Sequence, residues 1–267
     1  MAPFISFLSD FGHDDEFVGV VHGVIAKLAP DVTTLDITHA VPRGDIRAGA
    51  LALTRAVQYL PEGVILAVVD PGVGTSRRAI AARTSMGVFV GPDNGLLSPA
   101  VAMVGGADRI VAVENPEMRI PSAGETFHGR DLFAPAAALI ASGEASLDDC
   151  GPDVSPDEVT PLLLPLPEVE PGRITATAWW IDRFGNTQTN VSPDDMALAG
   201  ITADSTVTVR VGSTEYEIPW VAAYGEVEEG DTLLHVDGSG LLALAVRSGS
   251  AAEFLRLAEG QPVTFTS

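Results

Sequence analysis

Hydrophobic and polar positions follow two periodicities in the first part of the chain. Short apolar runs typical of strands are separated by segments whose apolar residues recur at helical spacing. The runs FISFLSD, TTLDIT and GVILAVVDPGVG predict strands, and AIAARTSMGVFVGPDNG predicts a hairpin-like pair. The segments EFVGVVHGVIAKLAP, DIRAGALALTRAVQYLP and DLFAPAAALIASG predict helices, the second capped by Asp45 and the third with Asp131 near its start. This alternation predicts an α/β N-terminal domain, residues 1–160, with a mostly parallel central sheet.

The pattern changes at a proline-rich stretch. Residues 161–172, PLLLPLPEVEPG, contain four prolines, which predict an extended linker because proline removes backbone donors and stiffens the chain. Beyond it, short alternating runs are separated by Gly, Asp and Ser: ITATAWWIDRFGNTQTNV, STVTVRVGSTEYEIP, DTLLHVDGSGLLALAV and QPVTFTS. Residues 173–267 are therefore predicted to form a small all-β, barrel-like domain.

Composition and charge exclude several classes of function. The 267 residues carry a formal net charge of -21, so we expect no nucleic-acid partner and no anionic membrane surface. No apolar run approaches the roughly 20 residues of a membrane span. A single cysteine, Cys150, excludes an internal disulfide and a multi-cysteine metal site. The N-terminal MAPFISFLSDFG has the pattern of a first strand rather than a signal peptide, so we expect a cytoplasmic location.

Three aspartates follow predicted strands at points where the apolar run breaks into Gly or Pro. They are Asp10, Asp70 and Asp93, and the carboxyl ends of parallel strands meet at the same edge of a sheet. In VVDPGVGTSRR, a rigid Pro-Gly turn can bring Arg77 back to Asp70, which would keep that carboxylate ionised and oriented. A helix-capping Asp70 beside a solvent-exposed Arg77 fits the spacing equally well.

Another segment offers a polar side chain in a loop. In ETFHGRDLF, His128 lies just before a helix, where a histidine is a better functional candidate than on an apolar face. By contrast, His22 is expected to pack on its helix, His39 to pair with a neighbour, and His13 and His235 to be exposed.

Carboxylate and amide side chains occur together in two predicted turns. In GPDNGLLSP, the Asn94-Gly95 pair is also typical of a purely structural turn. In WWIDRFGN, Asp182 and Asn186 can hydrogen-bond a polar ligand while Phe184 stacks on a base, although an ordinary hairpin would look the same. No HxH, HExxH or grouped Cys/His spacing occurs, so we expect no metal site and no cofactor.

The order of these segments resembles one known family, the SAM (S-adenosyl-L-methionine) hydroxide adenosyltransferases, which are relatives of the SAM-dependent chlorinase and fluorinase. The matching segments are SDFG, DITHAVPRGDIRAGA, VVDPGVGTSRR, VGPDNGLL, TFHGRDLFAPAAA, IDRFGNTQTN and GSGLLALAVRSGSAAE. The resemblance spans nearly the whole chain. It implies an α/β domain followed by a small β-barrel, and homotrimers whose ligand lies between the N-terminal domain of one subunit and the C-terminal domain of the next.

The resemblance also implies a reaction and a set of site residues. Water or hydroxide attacks the ribose C5′ of SAM, giving adenosine and L-methionine, with Asp70, Arg77 and His128 as the catalytic candidates. By position, Asp10 matches the carboxylate that binds the ribose hydroxyls. The remaining substrate-binding candidates are Phe11, Asn94, Asp182, Phe184, Asn186, Ser239, Ser250 and Ala251.

Parts of the pattern depart from the halogenases and leave alternatives open. An Arg found near Ser239 in the halogenases is absent here, and RSGSAAE differs from the commoner Asn-Arg-Gly-Asn form. His128 stands where the halogenases carry an aromatic residue, and the segment between Arg77 and Asp93 has no room for the extra loop of the fluorinase. The alternatives are a SAM-dependent halogenase, a non-catalytic SAM or adenosine sensor, and a metal-dependent phosphatase.

Overall fold

The computed structural model describes residues 3–203 and 205–267. The chain divides after Leu162 into two compact units. The first two residues of the predicted N-terminal domain, and Asp204 of the predicted C-terminal domain, lie outside the described residues.

The N-terminal unit is a six-stranded sheet with helices on both faces. Its strands are β1 (Phe4–Ser9), β2 (Thr33–Thr38), β3 (Gly63–Val68), β4 (Ala79–Thr84), β5 (Gly87–Pro92) and β6 (Arg109–Ala112). Its helices are α1 (Phe17–Leu28), α2 (Ile46–Val57), α3 (Ser98–Met103), α4 (Ala134–Ser142) and α5 (Leu147–Cys150). The strand order is β2-β1-β3-β5-β4-β6, with the first four strands parallel and β4 antiparallel to both neighbours. The predicted mostly parallel α/β domain is confirmed.

The central strands are buried on both faces because their side chains alternate between two apolar clusters. In β3, Val64 and Leu66 face the cluster formed with α1 and α4. Ile65 and Ala67 face the cluster formed with α2 and α3. A continuous apolar run therefore packs against both layers of helices, as expected for a strand inside a parallel sheet.

The helix starts show one prediction confirmed and one corrected. The Asp45 carboxylate accepts a hydrogen bond from the Ala48 amide at 2.9 Å, so it caps α2 as predicted. The third predicted helix is preceded by a π-helical turn over residues 129–133, and α4 itself begins at Ala134. Asp131 lies within that turn and pairs with Arg130, whose Nε is 2.6 Å from Asp131 Oδ1, so it does not cap the helix.

The C-terminal unit is an antiparallel, nearly closed sheet. Its strands are β7 (Glu168–Glu170), β8 (Arg173–Ile181), β9 (Thr187–Thr189), β10 (Thr206–Val211), β11 (Thr214–Pro219), β12 (Thr232–Val236), β13 (Leu242–Val246) and β14 (Pro262–Thr266), with short helices α6 (Pro193–Leu198) and α7 (Ala251–Leu255). The order is β11-β10-β14-β8-β9-β13-β12, and a bridge between Trp220 and Leu234 brings the two ends together. The barrel-like prediction is confirmed. Part of the proline-rich stretch is a strand, because β7 pairs with β8.

Two histidines outside the candidate site are buried: His235 differs from the prediction of exposure, whereas His39 pairs with neighbouring side chains as predicted. His235, predicted to be exposed, is buried in β12, where its ring lies 5.0 Å from that of Tyr224. His39, at the end of β2, is completely buried, and burial lowers the pKa of its imidazole. Burial also raises the pKa of the Asp36 carboxyl, but its contacts with His39 and His22 outweigh that effect and leave the pKa below its usual value.

The only cysteine of the chain, Cys150, is expected to be inert in the folded protein. Its side chain is fully buried at the end of α5, and burial raises the pKa of the thiol to about 11. Because the thiolate is the reactive form, a thiol reagent at neutral pH should label the denatured chain and leave the native chain unmodified over the same period. Rapid stoichiometric labelling of the native protein would contradict the burial of Cys150.

No helix within the two described ranges has both the length and the apolar character that crossing a membrane requires.

Candidate active site

The predicted strand-end aspartates lie at one edge of the N-terminal sheet. Asp10 follows β1, Asp70 follows β3 and Asp93 follows β5, and these three strands are parallel neighbours. Their carboxyl ends therefore point in one direction, which is where open α/β sheets bind ligands.

Asp70, Arg77 and His128 form one hydrogen-bonded network. Arg77 Nε donates to Asp70 Oδ1 at 2.8 Å, and the Arg77 Nη2 group contacts both Asp70 Oδ2 and His128 Nδ1, the latter at 2.7 Å. The side chains of Asp70 and Arg77 are only 6% and 11% exposed, which removes the reading of Arg77 as a solvent-exposed residue. The Arg77 guanidinium also lies over the Phe133 ring, 4.9 Å from its centroid. The bidentate pairing with Asp70 and the contact with the Phe133 ring fix the Arg77 guanidinium in one orientation.

The partners of His128 define which of its nitrogens carries the proton. An arginine has only donors, so Nδ1 facing Arg77 must be an acceptor. In the neutral ring the proton then sits on Nε2, which lies 3.2 Å from Glu125 Oε2. Glu125 is a residue that the sequence analysis missed, although it stands three positions before His128 in the same segment.

Glu125 is ionised across the neutral range. Its carboxylate accepts a hydrogen bond from Arg119 at 2.8 Å, and that contact, followed by the one with His128, lowers the pKa of Glu125. The His128–Glu125 contact should therefore persist as the pH falls to the ordinary pKa of a glutamate, and be lost only below it.

We expect Glu125 to be a positioning residue for His128. Because Glu125 is exposed and contacts no other member of the network, Glu125→Ala should lower kcat only about two- to tenfold and leave KM unchanged. Glu125→Gln keeps an acceptor oxygen and should recover most of the rate. Steady-state kinetics on both variants test this, and equal, full activity in both would show that Glu125 does not orient His128.

Asp93 and Asn94 serve the structure of their own turn. Asp93 Oδ2 accepts from Arg78 Nε at 3.0 Å, and Oδ1 accepts from the Thr160 amide at 2.7 Å. The Asn94 side chain donates to the Val69 carbonyl and accepts from the Leu96 amide. Both ends of the Asn94 amide are thus engaged, as in the structural reading of its turn, and a substrate contact by Asn94 stays a prediction.

Asp10 is joined to the Asp70 turn through one glycine. Asp10 Oδ2 accepts a hydrogen bond from the Gly44 amide at 2.8 Å. Gly44 has a φ of +71°, and a Cβ there would meet Pro71 at 3.6 Å. Gly44 therefore connects the two strand ends that carry the predicted ribose-binding and catalytic carboxylates.

Phe11 faces the core of the N-terminal unit. Its ring lies 5.7 Å from Phe127 and 6.2 Å from Phe17, and a Cβ on Gly129 would come within 2.7 Å of it. These contacts fix the loop after β1 against the turn that carries His128. A substrate contact by Phe11 stays a prediction.

In the C-terminal unit, Asp182, Phe184 and Asn186 line one surface pocket of about 810 Å³. The Asp182 carboxylate holds the hairpin together, accepting from the Phe184 amide, the Asn186 amide and the Asn186 side chain at 2.8–2.9 Å. Phe184 is 65% exposed, and the Arg183 guanidinium lies 5.0 Å from the centroid of its ring.

The same pocket includes residues that sequence reasoning missed and omits three that it named. Tyr224 and Arg247 belong to its lining. Burial, then the charges of Asp182 and Asp237, raise the pKa of the Tyr224 hydroxyl, so it remains a hydrogen-bond donor at neutral pH. Ser239, Ser250 and Ala251 are not part of the lining: Ser239 sits in the turn before β13, Ser250 caps α7 through Glu253, and Ala251 is buried.

The two sets of residues suit different tasks. The Asp70–Arg77–His128 network combines a fixed cation with a neutral imidazole, which can orient and polarise a water molecule. The Asp182 pocket offers a carboxylate, an amide and an exposed ring, which can recognise a polar group beside a flat base.

The comparisons with known proteins cover both units. Residues 5–151 match the SAM hydroxide adenosyltransferase N-terminal domain, and residues 176–264 match the SAM hydroxide adenosyltransferase C-terminal domain.

Individual relatives agree with this assignment. The chain is 44% identical to an (R)-S-adenosyl-L-methionine hydrolase from Salinispora arenicola, over 99% of this chain and 98% of the relative. A fluorinase from Actinoplanes sp. is more distant, at 28% identity over 99% of this chain and 97% of the relative. The crystal structure of an uncharacterized conserved protein from Thermotoga maritima superimposes with a TM-score of 0.92 at 36% identity, covering 98% of this chain and all of that one.

Proposed function

Because this chain belongs to the SAM hydroxide adenosyltransferase family, we propose that it is an S-adenosyl-L-methionine hydrolase that forms adenosine and L-methionine. The observation that carries the proposal is the buried Asp70–Arg77–His128 network at the carboxyl edge of the parallel sheet. Relatives at 42–44% identity bear the name of that activity, whereas the fluorinases are less similar.

The proposed reaction is a substitution at carbon. A lone pair of water forms the new O–C5′ bond while the C5′–S bond breaks, and its electron pair stays on sulfur as the neutral thioether of methionine. The oxygen becomes the 5′-hydroxyl of adenosine, and one proton is released. The sulfonium is already a good leaving group, so no acid is needed to protonate it. The enzyme must instead hold water in line, on the face opposite sulfur.

Each network member has a proposed role in that step. Arg77 stabilises the negative charge that the water oxygen gains as its proton leaves, and so favours the hydroxide-like nucleophile. His128 orients the water and takes its proton at Nδ1, when the water replaces the contact that Arg77 Nη2 now makes there. Asp70 holds the guanidinium at a fixed position through its two oxygens.

The substrate contacts are proposed from the free groups of the two units. The Asp10 carboxylate can accept hydrogen bonds from the two ribose hydroxyls. Phe184, with its exposed ring, stacks on the adenine, and Asp182 with Asn186 binds polar groups of the substrate. Ser239 and the Ser250–Ala251 backbone are proposed as contacts that form only in the assembled site.

Product analysis tests the reaction. Purified protein incubated with SAM in chloride-free buffer should release adenosine and methionine in equal amounts, and added chloride should not divert the product. A 5′-chloro-5′-deoxyadenosine product would instead assign the chain to the halogenases. Binding of SAM without turnover would identify a sensor.

We also propose that the active protein is a homotrimer in which different subunits supply the two halves of each site. Neither set of residues makes a complete site by itself, which supports this proposal. The N-terminal unit supplies the Asp70–Arg77–His128 network, and the C-terminal unit supplies the exposed Phe184 ring. Co-expression of His128→Ala and Asp182→Ala chains tests it. In a cyclic assembly about a quarter of the mixed sites receive both intact halves, so activity should partly return. A site built within one chain would give no recovery.

The remaining expectations on partners and conditions are part of the same proposal. The acidic chain, with its net charge of -21, acts in the cytoplasm on a small molecule, without nucleic acid. Hydrolysis needs no cofactor, so a chelator should leave kcat unchanged. A metal-dependent phosphatase would lose its activity under that treatment.

A further inference from the structure

Three potential metal ligands meet at the edge strand β2, outside the network described above. His22 lies on α1, Asp36 in β2 and His39 just beyond its end, and one ligand atom from each lies within 4.8 Å of the others. His22 Nε2 is 2.8 Å and His39 Nε2 is 3.0 Å from the same oxygen, Asp36 Oδ1.

His39 Nε2 is the atom that distinguishes this cluster from an ordinary ion pair. It is buried, and although Asp36 Oδ1 is near, the direction of approach does not make a hydrogen bond. A fully buried imidazole nitrogen without a directed partner is costly unless something else binds it. Its in-plane lone pair is thus available to a ligand between the three side chains.

The other nitrogen of His39 has the partner that a metal-binding histidine requires. His39 Nδ1 lies 2.7 Å from the Oγ of Ser9, which is itself completely buried. A hydroxyl can accept from Nδ1–H, and that tautomer leaves Nε2 unprotonated. Histidine ligands commonly have such an outer partner, which fixes the orientation of the ring.

The dimensions and access also suit an ion. Ligands about 2.0–2.2 Å from a tetrahedral zinc are roughly 3.3 Å apart, so the two His–Asp distances need to open by a few tenths of an ångström. The two imidazole nitrogens, which lie within 4.8 Å of each other, would need to settle at the same spacing. The His22 and Asp36 side chains are 35% and 40% exposed, which gives solvent a route to the buried nitrogen. Two imidazoles and one carboxylate favour a borderline metal over Mg²⁺ or Ca²⁺, which prefer oxygen.

We propose that His22 Nε2, Asp36 and His39 Nε2 bind a divalent transition-metal ion of the zinc class, with water completing its coordination. The metal site shares no residue with Asp70, Arg77 or His128. Its effect is structural. The Gly12 amide donates to the His39 carbonyl at 2.8 Å, and the Phe11 amide contacts Ser9 Oγ, so a bound ion would hold the loop that carries Asp10.

Metal titration of the purified, chelator-treated protein without SAM tests the site. Wild type should bind one Zn²⁺ per chain, and Co²⁺ in its place should give the visible absorption of a tetrahedral site. His22→Gln should lower the affinity at least about tenfold, because a ligand is lost from the first coordination sphere. The matched control is His13→Gln: His13 is exposed and its ring lies 5.3 Å from that of His39, yet it is not in the ligand set.

A second measurement keeps the test independent of folding defects. Zn²⁺ at a hundredfold excess over the wild-type Kd should raise the melting temperature of wild type and His13→Gln by about 5–10 °C, and that of His22→Gln by at most about half as much. The proposal is overturned if wild type takes up no Zn²⁺, if His22→Gln binds as tightly as wild type, or if His13→Gln is the variant that loses the ion. Because no substrate is present, none of these outcomes depends on SAM hydrolysis.

Discussion

Replacing His128 with alanine is expected to lower kcat for SAM hydrolysis by about 10²–10⁴-fold, the usual contribution of a positioned acid–base group, with little change in KM. His128 is 9% exposed and contacts Arg77 and Glu125, so its loss leaves the Arg77 guanidinium held by Asp70 and the Phe133 ring. Because the imidazole handles water rather than SAM, the interaction that disappears is one made in the transition state. Such a loss lowers kcat and kcat/KM together. Steady-state kinetics and the dissociation constant for SAM measure the two effects separately.

The chain contains its own matched control for the carboxylate of this network. Asp93 follows the neighbouring strand β5, is equally buried, and pairs with Arg78 at 2.9 Å, but no histidine joins that pair. Asp70→Asn should therefore reduce kcat strongly, whereas Asp93→Asn should lower the melting temperature and spare kcat. If the two variants lost activity to the same extent, the effect of Asp70 would be one of stability, and its catalytic assignment would fail.

Gly185→Ala is expected to raise KM for SAM by roughly 10- to 100-fold, the range for losing one or two hydrogen bonds to a charged group. Gly185 has a φ of +83° and sits in the hairpin between Phe184 and Asn186. A Cβ there would lie 2.6 Å from the Ser250 Cβ and closer still to its hydroxyl oxygen. The hairpin must move away from α7, and the bonds by which Asp182 holds it are broken. Kinetics and thermal unfolding of the variant measure the effect.

Gly200→Ala separates backbone strain from this collision. Gly200 belongs to the same unit and has a φ of +77°, but a Cβ there meets no atom within 4 Å. Both variants carry the cost of a left-handed alanine, about 1–2 kcal/mol, so their melting temperatures should fall. Only Gly185→Ala should also raise KM. A similar KM for the two variants would show that the hairpin at Gly185 does not contribute to substrate binding.

The elements and contacts that sequence predicted best are local. The strand ends followed from apolar runs that stop at Gly or Pro. The Asp70–Arg77 contact was one of two arrangements that their seven-residue spacing allowed, and the structure contains it. The cap at Asp45 was equally local. In each case neighbouring residues alone determine the geometry.

What sequence missed depends on contacts between distant segments. Tyr224 and Arg247 reach the Asp182 pocket from other strands of the sheet, and no spacing rule relates them to it. His235 was expected to be exposed, yet it is one of three successive buried residues in β12, and the Tyr224 ring lies 5.0 Å from its own. The cluster of His22, Asp36 and His39 likewise exists only after α1 packs beside β2.

The position of β2 at the edge of the sheet has a consequence for association between chains. Its sequence, TTLDIT, is rich in residues that favour strands, and Leu35 is 41% exposed. Without a charged residue, an edge strand of this kind would offer its unpaired amides and carbonyls to the edge strand of another molecule. Asp36, kept ionised by its depressed pKa, places a negative charge in the middle of that edge. Two such edges brought together would repel each other, so the same carboxylate that anchors two histidines also opposes aggregation through β2.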